Sequence, residues 1–160
     1  MEAVNCPSRA ASYSRCFDVP LRRREDAVLS ELIDGYSAHG GLASPDEVIY
    51  LMRPFWRQPI SVLAKWIVDH KVVSFMWHAK IVLPMFQFVR PRMTPHPGVA
   101  DAAPHLADLM GDEGVATWFI RPCDFLGRVC PLELVMTDPE ALLCAARRMR
   151  LTLIARRLAY

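Results

Sequence analysis

No apolar run in this 160-residue chain approaches the roughly 18 residues that a membrane-spanning helix needs. The first twenty residues, MEAVNCPSRAASYSRCFDVP, hold no apolar core of the kind a secretory leader carries. There is no GxGxxG, no phosphate-binding loop, and no HxxxH or HExxH spacing among the five histidines. The five cysteines, at positions 6, 16, 123, 130 and 144, form no CxxC and repeat no spacing, so neither a zinc knuckle nor a disulfide framework is written into the chain. No internal repeat occurs. These absences remove the enzyme and metal classes that announce themselves by motif. Reduced thiols and no leader lead to the expectation of a cytoplasmic protein without a membrane span.

What the chain does have is core material. Hydrophobic residues make up 52% and charged residues 22%, which suits one domain or two small modules sharing a core. The formal net charge of +2 is too small to imply nucleic acid by itself. Its distribution is uneven, with Arg22, Arg23 and Arg24 near one end and Arg147, Arg148, Arg150, Arg156 and Arg157 at the other. Cys123 beside Asp124, with His70, His78, His96 and His105 elsewhere, is the nearest thing to a nucleophile and base. A catalytic thiol needs a base within hydrogen-bond reach and a lowered pKa, and adjacency in sequence supplies neither. The expectation is a small buried thiol in a turn, with no catalytic residue, metal or cofactor.

Along the chain, residues 1–22 read as a flexible arm. Val28, Leu29, Leu32, Ile33 and Tyr36 share one helical face, with Gly35 and then Gly40-Gly41 ending that helix. Ser44-Pro45-Asp46-Glu47 is a capping-box start for a second helix, expected to reach Arg53 before Pro54. A third begins at Pro59, carries Ile60, Leu63, Trp66 and Ile67 inward, and ends at His70-Lys71. The period then changes to β-branched and aromatic residues around His78-Ala79-Lys80, a hairpin closing through residues 83–88. Alternation in that closing strand places Phe86 and Phe88 on one buried face and turns Gln87 away or onto backbone.

Three helices and a hairpin make a winged-helix outline, in which Arg57, Lys65, Lys71 and Lys80 are the candidate DNA contacts. Residues 89–98, VRPRMTPHPG, are a proline-rich connector. Beyond it come helices over residues 101–110 and 112–120, a corner, a short turn over 131–136, and a last helix opening at Thr137-Asp138-Pro139-Glu140. The predicted fold is therefore mainly α with one small β-hairpin: a helical segment over 23–88 ending in the hairpin, then a compact C-terminal helical domain over 99–160.

The corner, WFIRPCDFLGRVCPLEL, spans residues 118–134. Trp118 and Phe119 anchor a helix, Pro122 stops it, Gly127 turns the chain, and Pro131 starts the next segment. A stiff corner of this kind binds by shape and loses little entropy on docking. The amphipathic, cationic stretch over residues 145–158 suits an acidic partner cleft, an anionic membrane or phosphate, and equally a solvated final helix whose arginines favour its C-terminal dipole.

From the hairpin onward the chain resembles antitoxins of the Xre/MbcA/ParS type, whose C-terminal domain binds RES-domain toxins. LPMFQF at 83–88 is similar to that family's Pro-x-Phe-Gln-Phe signature. VATWFIRPCDFLGRVCPLELVMTDPEALLCAARRM at 115–149 follows its order of Trp-Leu, Pro-Asn turn, Leu-x-Gly, Pro-Leu-Glu and Ala-rich helix. ISVLAKWIVDHKVVSF looks like the helix and strand before the signature, so coverage is about residues 59–150. Cys123 stands where the family has Asn and Arg128 where a second Gly is common. No complete helix-turn-helix is recognisable in residues 1–58. The resemblance implies an antitoxin whose partner is a cognate, NAD-consuming toxin. With the corner and tail it nominates Trp118, Arg121, Leu126, Arg128, Arg147, Arg150, Arg156 and Arg157 as partner contacts. A DNA-binding regulator is the alternative, and a homo-oligomer is compatible with either.

Overall fold

The computed structural model describes residues 18–159, with side chains from residue 24 onward. The chain is mainly α with a small β part. Helix α1 spans Asp18–Ser37, β1 Leu42–Ala43, α2 Pro45–Met52 and α3 Pro59–Val68. Strands β2 (Phe75–Trp77) and β3 (Lys80–Pro84) form the hairpin, and β4 (Phe88–Val89) and β5 (Thr94–Pro95) a second small ladder. Helices α4 (Pro97–Ala102), α5 (Pro104–Ile120), α6 (Pro131–Leu134) and α7 (Pro139–Leu158) complete it. No helix among the described residues is long and apolar enough to cross a membrane.

Helix α1 begins at Asp18, so the arm expected over residues 1–22 is helical in its last five positions; residues 1–17, with Cys6 and Cys16, lie outside the described residues. The helix also runs through Gly35 instead of stopping there. A Cβ at Gly35 would sit 2.9 Å from the Cδ1 and Cγ2 atoms of Ile120, so glycine permits a close approach of α1 to the end of α5. The stop comes at Gly40 and Gly41, with φ of 92° and 72°.

The sheet is larger than the predicted hairpin. β1 pairs antiparallel with β3, giving the order β1-β3-β2. Two residues are too few for an alternation pattern, which is why the sequence hides this strand. The first six elements therefore run α-β-α-α-β-β with the third strand central. Ser44 and Glu47 form the expected capping box at the head of α2.

Residues 83–88 do not form one strand. After Pro84 a single 3₁₀ turn over Met85–Gln87 rotates successive side chains to different sides. Phe86 therefore stacks on Tyr36, with centroids 5.3 Å apart, and meets Phe119 at 5.4 Å. Phe88 instead joins a smaller core with Val48, Met52, Leu63, Val72, Leu83 and Met93. Gln87, expected to turn away or bond backbone, takes the second course from a fully buried position. Its amide nitrogen donates to the carbonyls of Val73 (2.8 Å) and Pro84 (2.9 Å), and its Oε1 accepts from the Val73 N–H. The strand-alternation expectation fails because the backbone is not extended there.

The connector at 89–98 carries the β4–β5 ladder, buries Met93, and accepts a 2.7 Å bond at the Arg92 carbonyl from Trp56 Nε1. It does not separate two cores. The larger core takes Leu32 and Tyr36 from α1 and Val73 and Phe75 from the hairpin side. It joins them to Val99, Leu106, Phe119, Leu132 and Leu142. Helix α4 starts four residues earlier than expected, because Pro97 supplies the first helical position and the His96 ring accepts from the Gly98 N–H. Gly111, at φ 71° and ψ 171°, breaks α5 where the sequence places the junction between two helices.

Candidate functional site

The corner is built as its sequence dictates. Trp118 and Phe119 are buried, the latter completely, and their rings meet edge to face at 5.1 Å. Helix α5 ends at Arg121, whose backbone is already extended before Pro122. A short 3₁₀ turn over Asp124–Leu126 follows, and Gly127 (φ 63°) and Arg128 (φ 72°) bring the chain back so that Cys123 bridges Val129. Pro131 then opens α6. Cys130 donates from Sγ to the Ile120 carbonyl at 3.3 Å, and burial pushes its thiol pKa up. Cys123 is buried, and no described histidine is hydrogen-bonded to it. Among the described residues no group of three or more His, Cys, Asp or Glu is placed to hold a metal.

Beside the corner lies a groove of about 520 Å³. Helix α1 contributes Arg24 and Val28, α5 contributes Met110, Glu113, Thr117 and Trp118 with Arg121 as its C-cap, and α7 contributes Met149, Thr152 and Arg156. Pro122, Cys123, Asp124 and Phe125 close it from the corner. The spacing within α1 and α7 is three or four residues, so one face of each looks onto the groove, while α5 lines it from both sides of its break at Gly111. Its apolar lining is Val28, Met110, Trp118, Phe125 and Met149, and its charged lining sets Arg24, Arg121 and Arg156 against Glu113 and Asp124.

Two contacts stiffen the walls. The Arg121 guanidinium grips Glu31 with two bonds, Nε to Oε1 at 2.6 Å and Nη2 to Oε2 at 2.7 Å, tying α1 to the end of α5. That pairing holds the Glu31 carboxyl below its ordinary range and raises Arg121. Arg148 lies over the Phe125 ring at 4.7 Å, tying α7 to the corner. Trp118 Nε1 is a buried donor with no hydrogen-bond partner among the described residues, a feature that costs about 1–3 kcal/mol when left unmet.

The nominated partner contacts are thus dispersed. Trp118, Arg121 and Arg156 meet at the groove, and Leu126 is half-buried in the corner. Arg128 sits at the corner's tip, bonded to Asp124 at 3.1 Å, and Arg147 is exposed on α7. Two of the nominated arginines bond within the chain, because α7 continues as one helix past Met149 to Leu158. Arg150 grips Asp108 at 2.6 and 3.0 Å and the His105 carbonyl at 2.9 Å, and Arg157 donates to the Leu109 carbonyl at 2.9 Å. Of the candidate DNA contacts, Lys65 pairs with Asp69 at 3.0 Å, while Arg57, Lys71 and Lys80 are exposed around α3 and the hairpin.

Sequence reasoning missed Met110, Glu113, Thr117, Phe125 and Met149 as groove residues. Their helical spacing was readable, but nothing in it told an outward groove from an inward core.

The chain matches no family model, no curated protein and no solved structure. The groove's own geometry therefore carries the functional reading.

Proposed function

We propose that this chain is an antitoxin-like binding protein whose corner groove holds a cognate toxin enzyme. The observation that carries the reading is the groove itself. It is a concavity of mixed apolar and charged lining, walled by three helices and a stiff corner, with its ion pair and cation–π contact already made in the free chain. A docking partner meets a surface that loses little freedom on binding. The resemblance of residues 59–150 to antitoxins of the Xre/MbcA/ParS type supports a RES-type, NAD-consuming toxin as that partner. Arg147 and Arg156 are the cationic contacts this reading retains, and Arg121, bidentate on Glu31, acts indirectly by tying α1 to the end of α5. Arg150 and Arg157 act indirectly by fixing α7. The test is co-expression with each neighbouring open reading frame. A neighbour that arrests growth alone, grows normally with this chain and co-purifies with it is the expected result. Neighbours that are harmless alone, or that never co-purify, contradict the reading.

A second reading, DNA binding by the winged-helix half, draws on the β1-β3-β2 sheet order and on charge. Between Val48 and Ala100 the only carboxylate is Asp69, against seven lysines and arginines. The outer face of α3 weighs against base reading, since Ile60 and Val68 are 66% and 75% exposed there. Backbone contacts by Arg57, Lys71 and Lys80 are what that surface offers. A titration of upstream duplex across salt separates the readings: steep salt dependence with weakening on Lys71→Ala favours DNA, and no binding removes it.

A further inference from the structure

The outward face of α2 is not used by either reading. Tyr50, 69% exposed, and Leu51 form an apolar ridge in its last turn. On one side of the ridge lies a shallow groove of about 430 Å³ lined by Asp46, Glu47, Tyr50 and Leu51. On the other lies one of about 450 Å³ that shares Tyr50 and Leu51 and adds Arg53, Pro54, Phe55, Arg90, Pro91 and Met93. One end of the helix face is therefore acidic, the other basic, and the ridge between them is apolar.

We propose that this face pairs with the same face of a second copy of the chain, α2 against α2 in antiparallel orientation. A two-fold axis between residues 49 and 50, beside Tyr50, sets residue 46 opposite residue 53. Asp46 of one copy then faces Arg53 of the other, with Arg90 beside it, at each end, while Glu47 stays bonded to Ser44 of its own chain. A two-fold contact must be self-complementary, and an acidic-apolar-basic order along one helix is the simplest pattern that is. The Tyr50–Leu51 ridge of each copy seats beside that of its partner, covering apolar surface that a lone copy leaves in water. An α2 of eight residues is about 12 Å long, so the contact is small and the association weak and concentration-dependent.

The experiment is sedimentation equilibrium of the full chain in reductant, over a wide concentration range and at two salt concentrations. The expected result is a monomer–dimer equilibrium that weakens with salt. Tyr50→Arg should weaken it at least about tenfold, as should Asp46→Arg or Arg53→Asp alone, because each sets like charges together. Asp46→Arg combined with Arg53→Asp should recover dimerisation, since the swap rebuilds the pair with signs reversed. Circular dichroism checks that each variant, changed only at exposed positions, keeps its helix content. A chain that stays monomeric up to about 1 mM, a concentration that would populate even a very weak complex, overturns the proposal. So does a dimer indifferent to Tyr50→Arg, or a charge-swapped pair that fails to recover.

Discussion

Arg128 holds φ at 72° on the tip of the corner, a conformation that costs a non-glycine residue about 1 kcal/mol. Its ion pair with Asp124 joins side chains that are 76% and 80% exposed, and such pairs contribute close to nothing. Backbone strain outweighs the salt bridge. Arg128→Gly is therefore expected to stabilise the fold by about 0.5 kcal/mol or more in urea denaturation, and unchanged or lower stability would show that the guanidinium has a structural role. The Glu31–Arg121 pair has a pH signature. Glu31 titrates below its ordinary 4.5 in the folded chain, so its stabilisation is complete above that value and is lost as pH falls through the depressed one. Arg121→Gln should therefore lower stability near pH 7, and the gap from the parent should narrow as pH falls below the ordinary carboxylate range. A gap that stays constant with pH would mean the loss comes from packing.

Among the elements, the 3₁₀ turn after β3 decides how the two cores meet. Gln87 satisfies the N–H and C=O of Val73 and the C=O of Pro84 from a fully buried position. Gln87→Leu keeps the volume but strands those groups, and should cost at least about 3 kcal/mol by chemical denaturation; a loss under about 1 kcal/mol would mean water replaces the amide. The α1–α5 crossing makes the opposite point about helix propensity. Alanine favours a helix over glycine by about 1 kcal/mol, yet forcing a methyl against Ile120 costs about 1–3. Gly35→Ala should therefore destabilise by about 1 kcal/mol net, and a stabilised variant would show that α1 can shift off α5 freely. The sequence disclosed the elements with strong local signals: the Ser44 box, the Pro59, Pro131 and Pro139 starts, and the Gly111 break. It concealed β1 and the turn at Met85–Gln87, because two- and three-residue elements are settled by tertiary pairing and not by periodicity.

At the scale of the whole molecule, the corner was legible and the groove beside it was not. Pro122, Gly127 and Pro131 act locally, so their spacing reveals a rigid turn. The groove needs α1 from one end of the chain and α7 from the other, and only packing reveals which face of each is left open. The same distinction explains the tail: a run of arginines reads as free charge until Asp108 and the Leu109 carbonyl are found beside it. The claim that the groove is the toxin-holding surface is tested most directly by filling it without disturbing the core. Thr117 lines the groove half-buried and bonds only the Glu113 carbonyl of its own helix, so Thr117→Arg places a long charged side chain in the opening at little cost to folding. In a growth-rescue assay with the cognate toxin, alongside thermal denaturation, the variant is expected to melt like the parent and to lose neutralisation. Full rescue by a folded Thr117→Arg chain would contradict the account and place the toxin elsewhere.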